Sequence, residues 1–339
     1  MLCSKLLIKM WETTTEKGIG ALFKPWIIRR EGEATIETKR KELLILAQTE
    51  VDIGKIKRGE ASLLLNDISN PKLIHTTNSV DNDERVEPNF DMAKLVNDYN
   101  VLSSCEEIQK EVNITRALLH AEHALENDKT DPSDDSIEDD WLYRWRDYAR
   151  NTNSEKLQIL WGNILAGEVK QPGAFSLRTL DFIKNLSQSE AREIEGLFNY
   201  VFWGYRILNS EINNESTHEF LNFDFLFKMQ GLGLISGVDS GLSSTLTLDL
   251  IDQDYYYSYI FYNEMGIHIR TKTPESKVEL PVLLLTNLGK EVYKLCTPVS
   301  DRDNFINIVN TIKTLGFEVH ECRLIDFNGR KSLGNFVAL

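Results

Sequence analysis

The stretch from Trp141 to Leu186 carries the strongest folding signals of this sequence, because apolar residues recur at helical spacing between residues that end helices. Ser154 is a preferred residue at a helix start, since its hydroxyl can accept a bond from an unpaired amide of the first turn. Pro172 and Gly173 end the helix that follows. The stretch predicts three helices that pack on one another, beginning near Trp141, Ser154 and Ser176. The residues expected in their common core are Trp141, Trp145, Leu157, Leu160, Trp161, Ile164, Leu165, Leu180 and Ile183.

The same stretch resembles a known family. The run "LWGNILAGEV…FSLRTLDFIKNLS", with "WETTTEKGIGALFKPWIIRREGEA" near the start and "LLLTNLGKEVYKL" near the end, is similar to a bacterial family known as a domain of unknown function. This resemblance covers most of the chain. The first run is also similar to the abortive-infection alpha proteins, whose name implies a setting in phage defence. Neither resemblance implies catalytic residues.

The composition limits the classes of function. The 339 residues carry a formal net charge of −14, which disfavours a protein that coats nucleic acid, because phosphate binding requires clustered lysine and arginine. The four cysteines are scattered without a CxxC pair, so neither a zinc knuckle nor a disulfide framework is indicated. No signal peptide and no membrane-spanning run is present in the sequence. We therefore expect a protein of the cytoplasm.

The first 65 residues predict an amphipathic helical region that meets either a protein partner or the inner membrane. Its aromatic and basic residues are of the kind that an interfacial helix uses, although a protein contact explains them as well. The candidate contact residues are Trp11, Phe23, Trp26, Arg29 and Arg30. Location in the cytoplasm with peripheral attachment to the membrane is therefore an alternative.

The fold class predicted is a mainly α-helical bundle with long helices, followed by a smaller α+β part that resembles a winged helix. Residues 66–91 have loop composition, and residues 92–210 predict a helical core domain. Within that domain, residues 127–140 hold seven acids and one lysine, which is typical of a solvated linker. Residues 211–339 form the predicted α+β region, in which a hairpin over residues 255–273 is the expected wing.

Residues that carry chemistry are sparse. No GxSxG, GxxxxGK[ST], GxGxxG or HExxH motif occurs, so we predict no catalytic residue, no cofactor and no metal site. His120 and His123 are three residues apart on a predicted helix, and without further ligands they are better explained as residues at a packing edge. Ser176 and Arg178 are a candidate anion contact at a helix start, with a structural N-cap as the favoured alternative.

The resulting hypothesis is a non-enzymatic protein that self-associates into a homo-oligomer and acts through protein contacts in bacterial antiviral defence, by abortive infection. The protein partner is not identified by the sequence. Two alternatives remain open at this point, a membrane-associating effector that acts through residues 1–30 and a DNA-binding regulator that acts through the winged-helix-like region. The acidic character of residues 211–235 disfavours nucleic acid as a partner.

Overall fold

The computed structural model describes residues 4–19, 36–64, 72–75, 92–209, 221–252, 255–262, 265–327 and 330–338. The chain divides into two compact units, Met1–Phe175 and Ser176–Leu339. The boundary falls inside residues 92–210, which the sequence favours as one helical domain. The three helices predicted between Trp141 and Leu186 therefore do not share one unit, because the third of them lies in the second unit.

The first unit is built around helices. Its described elements are α1 (Lys5–Glu16), α2 (Ile36–Lys57), β1 (Ala61–Leu64), β2 (Lys72–His75), α3 (Met92–Leu125), α4 (Asp139–Arg150) and α5 (Glu155–Lys170). Helix α3 has 34 residues, which corresponds to a length of about 50 Å. Strand β2 pairs antiparallel with β1 and lies within residues 66–91, where the sequence predicts only a loop.

Tryptophans of α4 connect that helix to the chain that follows it. Trp145 is fully buried, and its indole Nε1 donates to the backbone oxygen of Trp161 at 2.9 Å. The Nε1 of Trp141 donates to the backbone oxygen of Phe175 at 2.7 Å. Each indole therefore leaves water without losing its hydrogen bond, which avoids the cost of an unpaired buried donor.

The expected core residues are mostly buried. Leu157 and Leu160 are half-buried, because they lie at the edge of the apolar stripe of α5. The remaining members are each no more than 4% exposed, and they are Trp141, Trp145, Trp161, Ile164, Leu165, Leu180 and Ile183.

The turn between α4 and α5 is held by the side-chain amides of Asn113 and Gln158 rather than by the capping hydrogen bond predicted for Ser154. Ser154 is the N-cap residue of α5, but its side chain makes no capping hydrogen bond. Instead, the amide of the fully buried Gln158 donates to the Asn113 side chain at 3.1 Å and to the Thr152 backbone oxygen at 3.0 Å. Asn113 in turn donates to the backbone oxygen of Arg150 at 2.9 Å. These bonds connect α3 to both ends of the turn.

Helices α3 and α5 approach each other closely at Gly162. A Cβ atom built on Gly162 would lie 2.6 Å from the Cβ of His120, 2.8 Å from the backbone oxygen of Ala117 and 2.9 Å from the backbone nitrogen of Ala121. Such contacts are shorter than side chains tolerate. Only glycine therefore allows the two helices to pack at this distance.

The second unit mixes helices and strands. Its described helices are α6 (Leu177–Lys184), α7 (Gln188–Phe198), α8 (Phe223–Gly231), α9 (Asn287–Tyr293) and α10 (Arg302–Thr314). Its described strands are β3 (Val201–Phe202), β4 (Arg206–Leu208), β5 (Ile235–Ser236), β6 (Ser243–Thr247), β7 (Asp249–Asp252), β8 (Tyr255–Tyr262), β9 (Met265–Thr271), β10 (Lys277–Leu285), β11 (Glu318–Phe327) and β12 (Arg330–Ala338).

Two antiparallel sheets organise this unit. One has the order β3-β4-β10-β5, with β6 paired to the first half of β10, and the other has the order β12-β11-β9-β8-β7. Helix α10 buries Phe305, Ile308 and Ile312 between the inner face of the second sheet and β10. The run Ser187-Gln188-Ser189-Glu190 matches the capping-box pattern of a helix start, and this capping box is present at the start of α7. Helix α7 ends at Phe198, before the strand at Val201 and Phe202.

The overall expectation of a helical part followed by a part that contains a sheet is confirmed. The winged-helix resemblance is not confirmed. Strands β8 and β9 do form the predicted hairpin, but β7 pairs with one side of it and β11 with the other. A wing projects at the edge of its fold, whereas this hairpin is interior to a five-stranded sheet.

We predict that Gly162→Ala lowers the free energy of unfolding by about 1 to 3 kcal/mol, because the new methyl group meets the backbone of α3 and forces the helices apart. Thermal unfolding followed by circular dichroism measures this change. Gly54→Ala is the matched control, since it lies inside α2 of the same unit and its Cβ would meet only the flexible Arg58 guanidinium at 3.3 Å. The control should be neutral or gain up to about 1 kcal/mol. Equal stability of the two variants would contradict the close helix approach.

Candidate functional site

Helices α2 and α3 pack as an antiparallel pair in the first unit. A small apolar cluster of Ile53, Ile56, Ala61, Val101 and Cys105 joins them. The cluster uses the carboxyl-terminal end of α2 and the second quarter of α3. Everything that precedes Val101 on α3 therefore extends beyond this cluster.

An ion pair joins the two helices one turn of α2 away from this cluster. The guanidinium of Arg116 contacts both carboxylate oxygens of Glu50, with distances of 2.7 and 2.8 Å, and both side chains are mostly shielded from water. Two parallel hydrogen bonds of this kind impose a defined orientation on the two helices. The register of α2 against α3 is thus set both by apolar packing and by charge.

The amino-terminal segment of α3, residues 92–102, is the most exposed apolar helix described in the first unit. Met92 is 63% exposed, Val96 is 54%, Tyr99 is 70% and Leu102 is 44%. All five residues from 96 to 100 are exposed, and five consecutive residues point to every side of a helix. Apart from Val101, which packs in the cluster with α2, this segment therefore projects from the packed part of the unit while it carries large apolar side chains.

Helix α2 has a second exposed apolar stripe. Leu44, Ile45 and Val51 are between 51% and 61% exposed, whereas Leu46 and Ile53 on the opposite side are buried. The apolar pattern of the sequence predicts a thin packing stripe through Leu43, Leu44, Ala47, Val51 and Ile56. Of these, Ile56 is buried as predicted, whereas Leu44, Ala47 and Val51 are exposed. The helix has two apolar faces, and the face of Leu46 and Ile53 is the one that packs.

Helix α1 packs into the first unit, and its lysines meet the acidic segment 127–140. Leu6 and Met10 are fully buried. The ammonium of Lys5 lies 2.7 Å from an Asp131 oxygen, Lys9 donates to backbone oxygens of the same segment, and Lys17 lies 2.8 Å from Asp139. The segment predicted as a solvated linker therefore supplies the anions that α1 contacts.

The residues nominated for a membrane or partner contact are only partly described. Trp11 is half-buried, and its indole Nε1 is buried without a hydrogen-bond partner among the described residues. Phe23, Trp26, Arg29 and Arg30 lie outside the described residues. In the described part of the chain, no helix is both long enough and apolar enough to cross a membrane.

The candidate anion contact at the start of α6 is occupied by a carboxylate of the chain itself. One oxygen of Glu291 accepts from the Ser176 backbone nitrogen at 2.6 Å, from the Ser176 hydroxyl at 3.0 Å and from the Thr179 hydroxyl at 2.6 Å. Ser176 is also the N-cap of α6, as the structural alternative predicted, and Arg178 is exposed. Glu291 therefore attaches α9 to α6 at the position where the sequence suggests a contact with an external anion.

Glu168 also has a structural role. This residue is 2% exposed, and its two carboxylate oxygens accept from the backbone nitrogens of Gly173 at 2.6 Å and Phe175 at 3.0 Å. The carboxylate thereby organises the turn that follows α5. The positive φ of Gly173 allows that turn to form.

The histidines of α3 are not brought together with further ligands. The Nδ1 of His123 lies 3.8 Å from Glu126, and burial lowers the pKa of His120. Among the described residues, no group of three or more histidine, cysteine, aspartate or glutamate side chains is arranged to hold a metal ion.

Comparison with known proteins places the chain in a family. A family described as "Protein of unknown function (DUF2806)" matches residues 103–310, which is more than half of the chain. The chain belongs to the DUF2806 family. No curated protein and no solved structure matches the chain. The matched region begins at residue 103, directly after the exposed segment 92–102 of α3, and includes α4 and α5. The exposed segment and α2 precede it.

We predict that Glu291→Ala lowers the free energy of unfolding by about 1 to 2 kcal/mol, because three donors at the start of α6 lose their common acceptor. Urea unfolding measures the change. Glu195→Ala is the control, since Glu195 is exposed on α7 of the same unit. An Ala variant at position 291 that is as stable as this control would show that the bonds contribute nothing.

Proposed function

We propose that this DUF2806 protein is a non-enzymatic, self-associating protein whose copies meet through the amino-terminal segment of α3. The observation that supports this proposal is the exposure of apolar side chains on a helix that is unpacked on all sides at residues 96–100. A helix of about three turns is marginal in water when nothing packs on it. A partner that covers Val96, Tyr99 and Leu102 removes both the apolar exposure and the tendency of the helix to fray.

The spacing of the apolar residues favours another helix as the occupant. Met92, Leu95, Tyr99 and Leu102 follow one another at intervals of three, four and three, which is the pattern of helices that pair along a continuous seam. The exposed stripe of α2 is a second apolar surface on the same unit. Such a surface is suited to helix packing rather than to a small ligand.

Charge favours a second copy of this chain as that helix. The protein as a whole carries a net charge of −14, so copies repel one another over most of their surface. Residues 92–102 are an exception, because Lys94 and Asp98 balance each other. Two copies can therefore approach along this segment without the repulsion that opposes contact elsewhere.

We further propose that the self-association acts in the cytoplasm during bacterial defence against phage. The support is the similarity of "LWGNILAGEV…FSLRTLDFIKNLS" to the abortive-infection alpha proteins, together with the free thiols of Cys105, Cys296 and Cys322, which suit a reducing compartment. Attachment to a membrane through α1 is less favoured, because Lys5, Lys9 and Lys17 already contact residues 131–139.

We predict that Val96→Glu weakens self-association at least about tenfold, because a charge on this segment would be desolvated in the contact and would repel its copy. Multi-angle light scattering across a concentration series should show the mass of the variant falling toward the 38.9 kDa monomer. The control is Val299→Glu, which introduces the same charge at a valine that is 70% exposed in the second unit. A wild-type protein that is monomeric at every accessible concentration would refute the proposal.

We also predict that Val96→Glu abolishes protection against phage in a bacterium that expresses the chain, while Val299→Glu retains it. The plating efficiency of phage on the two strains, with protein levels matched by immunoblot, measures this effect. Full protection by a Val96→Glu protein that is monomeric would separate defence from self-association and contradict their link.

A further inference from the structure

The sheet β12-β11-β9-β8-β7 has two chemically different faces. Its inner face is apolar, and Ile260, Ile267 and Ile269 are buried there in one cluster with residues of α10. Because side chains alternate along a strand, the residues between them lie on the outer face. On that face, His268 of β9 is directly opposite His320 of β11. Strand pairing therefore brings two imidazoles of the second unit together.

The two imidazoles are in contact, and other rings cover His268. The ring centroids of His268 and His320 lie 5.7 Å apart. Tyr259, which is opposite His268 on β8, stacks on it with centroids 5.0 Å apart and planes 27° apart. The ring of Tyr257 meets His268 edge-on at 5.4 Å. His268 is thus covered from both neighbouring strands, and both imidazoles are half-buried.

His320 has a ring nitrogen whose surroundings disfavour a proton. Its Nδ1 is buried and has no hydrogen-bond partner among the described residues. A neutral imidazole leaves one ring nitrogen without a proton, whereas a charged imidazole carries two N–H donors that both need acceptors. A proton on this Nδ1 would therefore be a buried, charged donor without an acceptor, which is costly. The observed packing suits the neutral form of the ring.

The titratable and charged side chains that face the pair come from four strands. They are Tyr257 and Tyr259 of β8, Arg270 of β9, Glu318 and Cys322 of β11 and, across Tyr257, the exposed Asp249 of β7. Arg270 and Glu318 each lie two residues from a histidine of the pair, and they bind each other at 2.7 Å. The outer-face acid of β11 is therefore already engaged by a cation. Lys272 is exposed farther along β9, and β12 places the uncharged Ala338 opposite His320.

We propose that the contact between His268 and His320 makes the second unit sensitive to acid, so that its sheet is stable while both imidazoles are neutral and loosens when a proton enters the pair. Burial, His320 and Arg270 lower the pKa of His268 in the folded chain. The unfolded chain, in which histidine has a pKa of about 6.5, therefore binds this proton more readily. The stability that the pair contributes is complete above about pH 6.5 and is lost as the pH falls through the lowered pKa. The proposal is independent of self-association, because the pair lies in the second unit and the α3 segment in the first.

Urea unfolding of the full chain at about pH 7.5 and at about pH 5.5, followed by circular dichroism, tests the proposal. The urea midpoint of the wild type should be lower at the acid pH. His268→Phe keeps a flat ring against Tyr259 but cannot bind a proton, so its acid-induced decrease should be at most about half that of the wild type. The control is His123→Phe, which makes the same change at an imidazole that is 84% exposed in the first unit. This control should keep the full decrease.

A second variant keeps the test decisive if circular dichroism shows that His268→Phe is misfolded. His320→Gln removes one imidazole of the pair and leaves His268 in place. Nuclear magnetic resonance of the imidazole protons should show that His268 titrates at a higher pH in this variant than in the wild type, because the second imidazole no longer opposes its charge. An equal acid-induced decrease in the wild type and in His268→Phe would overturn the proposal. So would a titration of His268 that is unchanged by His320→Gln.

Discussion

The close contact between α3 and α5 at Gly162 is the constraint on which the first unit depends. Helices that touch backbone to backbone leave no tolerance for sliding, so the position of α5 determines which part of α3 is covered. The amides of Asn113 and Gln158 then tie the α4–α5 turn to the same helix. Because α5 is only 16 residues long and α3 has 34, α5 cannot cover all of α3. The exposed amino-terminal segment of α3 is the geometric consequence.

Local patterns in the sequence predict local structure well in this protein. The stripe around Trp161 defines α5, the pair Pro172 and Gly173 ends it, and Ser187 with Glu190 opens α7 through a capping box. Each of these signals acts within a few residues of its own position. The helix boundaries that these signals predict therefore do not depend on which distant segment packs on the helix.

The errors concern contacts between distant residues. Helix α2 has apolar residues on two faces, and periodicity alone does not identify Leu46 and Ile53 as the buried pair. The hairpin of β8 and β9 is correctly predicted, but its interior place in the sheet depends on β7 and on β11, which begins 47 residues after β9 ends. The contact between His268 and His320 has the same origin, since these residues are 52 positions apart in sequence and adjacent only through strand pairing.

The net charge of −14 is a sum over the whole chain and does not show which acidic side chains are paired with cations or with backbone donors. Several of them are engaged within the chain: Asp131 and Asp139 contact lysines of α1, Glu50 pairs with Arg116, and Glu291 caps α6. A carboxylate that is paired at close range contributes little to the potential beyond about one Debye length. The local charge of a surface therefore depends on which of its acidic and basic side chains are paired with each other. On the outer face of the sheet β12-β11-β9-β8-β7, for example, Glu318 is paired with Arg270, while Lys272 and Asp249 are both exposed, so acids and bases balance there although the chain as a whole is acidic.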